Sequence, residues 1–341
     1  MKRTHFFLFI LLAISKANFG QPENDEKSLN NNKVVSVTSY YARTSESQLE
    51  EFLNTPSWYQ KNISDSNVYN NKGKLVLHRN FDFQNRSKYY DTKYEYNSAG
   101  LLTKMVEFND ATIKKTDSLA YNNENLISYH KIYYNTNKYL LYENKVDYTY
   151  KKRNLPVEMR TFSPDGKLNT VTVKIYDEKD RLIEEILYWG STEAKDMKEK
   201  KKYIYHSEKS KVINEIQTYL NENADLYFIK KFDESGFMIE NISYHPRKKE
   251  IRNKTTITKD NNKIVETYFD YVQVESLPTS SGKEDETAPM IRGEKELKPV
   301  RKIVKILSKN GLIEITKLYK VDPSGKEEYD SAIKYEYQFG K

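Results

Sequence analysis

Histidines and carboxylates are the first residues to test for chemistry. His78, His130, His206 and His245 lie in different parts of the chain, and no His-x-His or His-Glu-x-x-His spacing occurs. A zinc site therefore has no support, and cross-strand or surface positions are expected for these rings. Asp and Glu number 49 against 56 Lys and Arg. Glycosidase chemistry needs a carboxylate pair about 5–10 Å apart across a cleft. Glu184 and Glu185 are adjacent and would point to opposite faces of a strand, so they are not such a pair. The Asp and Asn of polar turns serve turn geometry. There is no Gly-x-Ser-x-Gly, no phosphate-binding glycine loop and no dinucleotide fingerprint. Cysteine is absent, so disulfides, thiolate metal sites and lipid attachment at cysteine are excluded. No catalytic residue, metal or cofactor is expected, and the chain reads as a non-enzyme.

What remains is aromatic: 29 Tyr and 14 Phe. Flat rings on an exposed strand face can stack on sugar rings or on a partner's side chains. Turned inward, the same rings support a sheet with little core. The candidate binding rings are Tyr94, Tyr96, Tyr148, Tyr150, Tyr188, Trp189, Tyr203 and Tyr205.

These rings sit in a repeated pattern. In residues 171–176, Val171, Val173 and Ile175 alternate with Thr172, Lys174 and Tyr176, the period of a half-buried strand. A polar turn follows at 177–180, and Leu182-Ile183 restarts the apolar pattern. The same order of aromatic, polar turn and aliphatic pair recurs at Tyr69, Tyr96, Tyr121, Tyr150, Tyr205 and Phe232, with a weaker copy at Ile257. A fixed period of this kind marks a repeat architecture. A second, less regular set of turns lies between, for example at 163–167 and 190–200. Each repeat is then two strands and two turns, with regular turns on one edge and variable loops on the other.

The ends read differently. Lys2-Arg3 and the apolar run 6–14 resemble a cleaved export signal, placed at 1–17. A disordered leader is expected at 18–33, a hairpin array at 34–274, a flexible loop at 275–299 and further hairpins at 300–341. Ser45-Glu-Ser-Gln48 offers a capping box for one short helix that would cover an open sheet edge. The net charge of +7 is interspersed, which speaks against nucleic-acid binding. Mean hydropathy is −0.86, and no stable membrane insertion is expected. The fold class is therefore all-β: an antiparallel meander of about 20 strands, elongated as a curled sheet or shell.

The segment Tyr176-Asp177-Glu178-Lys179-Asp180-Arg181-Leu182 resembles the unit of YD-repeat, Rhs-type proteins, Tyr-Asp-x-x-Gly-Arg-Leu, with Asp180 in the glycine place. Phe232 to Gly236 and Tyr96 to Leu101 match more loosely. The likeness covers about residues 67–270. It implies long curling β-hairpin sheets at the cell surface or in secreted toxins, and brings no catalytic residues. The Arg-Leu pair occurs once and no toxin-like domain follows. The expected function is an exported scaffold of bacterial type that binds a cell-surface or extracellular glycan or protein through its variable loops and exposed tyrosines. The alternatives are a component of a toxin-delivery system, an outer-membrane β-barrel and a carbohydrate-active enzyme.

Overall fold

The computed structural model describes residues 26–340 apart from 60–61, 83, 86, 135–138, 153–154, 222–224, 246–249 and 274–294. The expected signal and most of the expected flexible loop lie outside the described residues. Twenty strands form one antiparallel sheet in chain order. Among the described residues three short α-helices accompany them: α1 (Glu26–Asn31), α2 (Glu46–Asn54) and α3 (Pro56–Tyr59). α1 falls within the segment expected to be disordered. The strand Lys295–Leu307 begins inside the expected loop.

The turn chemistry explains the hairpins. In the turn after Tyr69, the amide of Gly73 donates to the carbonyl of Asn70, and the Asn70 amide donates to that of Lys74, both at 2.9 Å. The Asn70 side-chain oxygen accepts from the amides of Lys72 and Lys74. The residue before the restart must enter the left-handed region, as Gly73 does at φ 70°. That is a type I turn closed by a bulge. Asp177, Asp233 and Asp322 accept the same two amides in their own turns. Asn125 and Asp180 take the glycine place at φ 63° and 60°. The bulge shifts the register at these turns, as between Val68 and Tyr69.

Tyrosines at or beside the anchor places fasten several hairpins to the one before. The Tyr96 hydroxyl donates to the Leu75 carbonyl (2.7 Å), Tyr121 to Leu102 (2.6 Å), Tyr148 to Ile127 (2.8 Å) and Tyr176 to Pro156 (2.9 Å). Tyr205 donates to Leu182 (3.0 Å) and Tyr337 to Ile313 (2.5 Å). Each acceptor residue stands across the ladder from the bulged end of the preceding hairpin.

The meander is not an open ribbon. β1 (Val34–Ala42) pairs antiparallel with β2 (Ile63–Tyr69) along one edge and with β20 (Glu327–Phe339) along the other. The sheet thus closes into a β-barrel, which corrects the expected curled sheet or shell. Closure removes the unpaired edges that a 20-stranded sheet would otherwise expose. α2 consequently has no edge to cover. It packs Leu49 and Phe52 on Tyr40, Ala42 and Ala332 at the seam. It begins where the capping box places it, but the Ser45 hydroxyl bonds the Gln48 side chain at 3.0 Å instead of a backbone amide.

The two walls differ. Following the cross-strand pairs around the ring puts Ser39, Asn67, His130, Asn144, Thr161 and Thr172 on one wall. The strand side chains that are less than 2% exposed lie on this wall, except Val171 and Ala332. A closed sheet crowds side chains on its concave side and splays them on its convex side, so this is the inner wall. α1 seals the seam from within, with Leu29 against Val37, Tyr69 and Leu75.

Candidate functional site

The inner wall carries several polar clusters. At the seam, the Ser39 hydroxyl contacts the Asp65 carboxylate, Asn67 Nδ2 donates to Asp65 Oδ1 (3.1 Å), and His78 Nδ1 meets Asn67 Oδ1 (2.8 Å). Serine, aspartate and histidine are all present, but the serine bonds the carboxylate and the imidazole bonds an amide. Among the described residues no hydrogen bond joins Ser39 to the imidazole, so the serine–histidine pair of nucleophilic catalysis is not formed. A second cluster joins Lys115 to Asp117 (2.8 Å) and Glu107 (3.5 Å), with His130 Nε2 3.4 Å from Asp117. A third runs Lys174–Glu185–Lys201–Glu199 at 3.6, 3.6 and 2.8 Å. In the second and third clusters lysines face carboxylates, which makes a charge-matched polar lining. Among the described residues no group of three or more His, Asp or Glu could hold a metal ion.

The outer wall is also charged. Arg79 grips Asp91 through two bonds of 2.7 and 2.8 Å, Lys200 pairs with Glu184 (3.0 Å), and Glu240 bridges Lys231 (2.7 Å) and Lys254 (2.6 Å).

The eight aromatic residues singled out in the sequence are placed as follows. Tyr96, Tyr148 and Tyr205 use their hydroxyls on the neighbouring hairpin's carbonyl. Tyr94 packs against the Leu29 cluster. Tyr188 is half-buried on the outer wall across from Val171, and Tyr203 is half-buried on the inner wall across from Ile216. Trp189 is 38% exposed at the variable rim, with the Lys198 ammonium 4.7 Å from its ring centroid. Tyr148 and Tyr150 come together, their centroids 6.1 Å apart, and the Tyr150 oxygen accepts from Asn122 Nδ2 (2.9 Å).

Those two rings border a trough. β8 (Tyr139–Lys152) is 14 residues long, whereas β7 (Ile127–Tyr134) and β9 (Leu155–Phe162) have eight each. The β7–β8 ladder stops at Tyr129 opposite Lys145, while β8 runs on against β9. One cavity of about 400 Å³ lies between Tyr129, Glu143, Lys145, Asp147, Phe162 and the turn 163–166. A second of about 260 Å³ shares Lys145 and Asp147 and continues past Ser128 to Tyr148 and Tyr150. In the bordering turn, the Lys167 ammonium, then the Ser163 hydroxyl and the Lys167 amide, hold the Asp165 carboxyl at about 2. Tyr129, Glu143, Lys145, Asp147 and Phe162 were missed in the sequence. The signal available was the length of the uninterrupted stretch 139–152.

No protein-family model and no curated protein matches the sequence. Solved structures give fold likenesses. A protein of unknown function from Bacteroides fragilis is 11% identical over 51% of this chain and 94% of that one, with a TM-score of 0.21. A porin-like protein from Bacteroides uniformis is 10% identical over 89% and 98%, with a TM-score of 0.30. A chain of the Tc holotoxin pore from Photorhabdus luminescens is 10% identical over 87% of this chain and 19% of that one, with a TM-score of 0.27. The expectation of no stable membrane insertion is corrected by the closed ring. That expectation rests on an unclosed ribbon and on mean hydropathy, which averages the two walls of the ring.

Proposed function

We propose that the chain acts in the bacterial cell envelope as a closed β-barrel with a polar inner wall. This is the outer-membrane-barrel alternative from the sequence, in place of an open binding scaffold. Ring closure is the observation that carries it. A closed antiparallel barrel with an even number of strands leaves no backbone edge unsatisfied, which is the condition for β-structure in a bilayer. The basic and apolar residues 2–14 supply the export signal that an envelope location requires. The YD-like turn is the module from which such a ring is assembled, and no catalytic step is assigned to it.

The outer wall sets the energetic condition. A Lys or Arg facing lipid costs about 2–4 kcal/mol at the bilayer midplane and about 0–1 kcal/mol near the interfaces. Arg79, Lys200, Lys231 and Lys254 meet that condition only through their carboxylate partners or by lying near an interface. Fractionation decides the matter. The full chain, expressed with its own signal in a bacterium with an outer membrane, should sediment with membranes, resist alkaline carbonate and need detergent for release. Recovery of the folded chain in the periplasm or medium, without detergent, overturns the reading.

A further inference from the structure

We propose that the trough along β8 is a saccharide-binding site. Tyr129, Lys145 and Phe162 stand on the outer wall beside the turn 163–166 at the barrel's rim, so the inference rests on the proposed envelope reading with that rim clear of the bilayer. Its larger cavity, about 400 Å³, is within the range of small-molecule sites, about 300–1,000 Å³. Tyr129, Lys145 and Phe162 stand in one row across three strands, since Lys145 pairs with Tyr129 on one side and Phe162 on the other. Two aromatic side chains therefore flank one flexible cation at the same height. Glu143 and Asp147 lie two residues to either side of Lys145 on the same wall. The smaller cavity shares Lys145 and Asp147 and reaches Tyr148, which stands on the inner wall.

A sugar ring offers an apolar C–H face and a rim of hydroxyls that both donate and accept. Aromatic rings suit the face, the carboxylates accept from hydroxyls, and the lysine donates to them. The charges are already matched: Glu143 lies 3.4 Å from the Lys131 ammonium and Asp147 lies 3.2 Å from that of Lys145. An ionic ligand would have to break one of these pairs, whereas a neutral polar ligand can share them. Lys145 and Asp147 keep 68% and 50% of their side-chain surface exposed, so the polar groups are reachable.

The experiment uses the purified folded chain and a panel of cellobiose, maltose, lactose and N,N′-diacetylchitobiose, followed by calorimetry. At least one disaccharide should bind saturably. Phe162→Ala and Asp147→Asn should each weaken that binding at least tenfold, while Tyr271→Ala, on the strand Lys263–Gln273, should leave it within twofold. In the unaltered chain the bound disaccharide should slow acetylation of Lys145, read by peptide mass spectrometry, which keeps the test alive if a variant fails to fold. Absence of binding by all four sugars, equal binding in both trough variants, or acetylation of Lys145 at an unchanged rate would each overturn the proposal.

Discussion

Replacing Tyr176 with Phe removes one hydroxyl and nothing else. That hydroxyl donates to the Pro156 carbonyl at 2.9 Å and ties two hairpins together beside their turns. A hydrogen bond of this kind contributes about 0.5–1.5 kcal/mol net, and more if the acceptor is left dry. Tyr176 is half-buried, so water can reach part of the vacated space, and a loss of about 1 kcal/mol is expected. The same contact occurs at Tyr96, Tyr121, Tyr148, Tyr205 and Tyr337. Sites in successive hairpins are two strand spacings apart, roughly 10 Å, where effects add to within a few tenths of a kcal/mol. All six changes together should remove about 6 kcal/mol, a large part of the 5–15 kcal/mol typical of folded proteins. Guanidinium unfolding of the single and the sixfold variant, followed by circular dichroism, measures this. The midpoint should fall stepwise while the slope stays fixed. A sixfold variant that loses less than about 1 kcal/mol would refute the claim that these hydroxyls hold neighbouring hairpins together.

Three further outcomes follow from the same geometry. Phe232 occupies the anchor place in a hairpin whose neighbour carries Ile213 across from Tyr205, so Phe232→Tyr should raise the unfolding midpoint by the equivalent of about 1 kcal/mol. Gly73→Ala forces a side chain into the left-handed region and sets its Cβ 2.9 Å from the Asn30 Cβ, so it should cost more than 1 kcal/mol and raise hydrogen exchange in α1. The third concerns acid. The Ser235 hydroxyl, with the amides of Phe237 and Ser235, holds Asp233 below its usual range, and the Ser324 hydroxyl with the Lys326 amide does so for Asp322. A depressed carboxyl adds stability above its unfolded pKa and loses it as pH falls through the folded value. Stability should therefore be flat above about pH 5 and decline below about pH 4, and the decline should be smaller in an Asp233→Asn, Asp322→Asn variant.

The hairpins were legible because each turn encodes itself. An Asn or Asp that accepts two amides, followed by Gly, Asn or Asp in the left-handed place, needs only five residues of context. The strand count of 20 followed from it. Closure was not legible, because the pairing of Thr38 with Glu336 joins residues from opposite ends of the chain, and neither strand's pattern names its partner. Inner and outer walls were equally hidden, since Thr172 and Val171 are both buried and both walls carry charge. The tyrosines stand out in the sequence, but a ring's alternation does not show whether its hydroxyl will find a neighbour's carbonyl, as those of Tyr96 and Tyr205 do. The trough was missed because it arises from a mismatch in length between β8 and its neighbours, a property of three strands together.

β1 leaves the ribosome long before β20, yet one whole edge of it pairs with that strand. Until Val37 meets Tyr337 the array has two raw margins, each able to recruit another copy of itself. Chains shortened at the C-terminus would keep that hazard permanently and should accumulate as aggregates, whereas loss of an interior loop leaves the ring's two ends free to find each other.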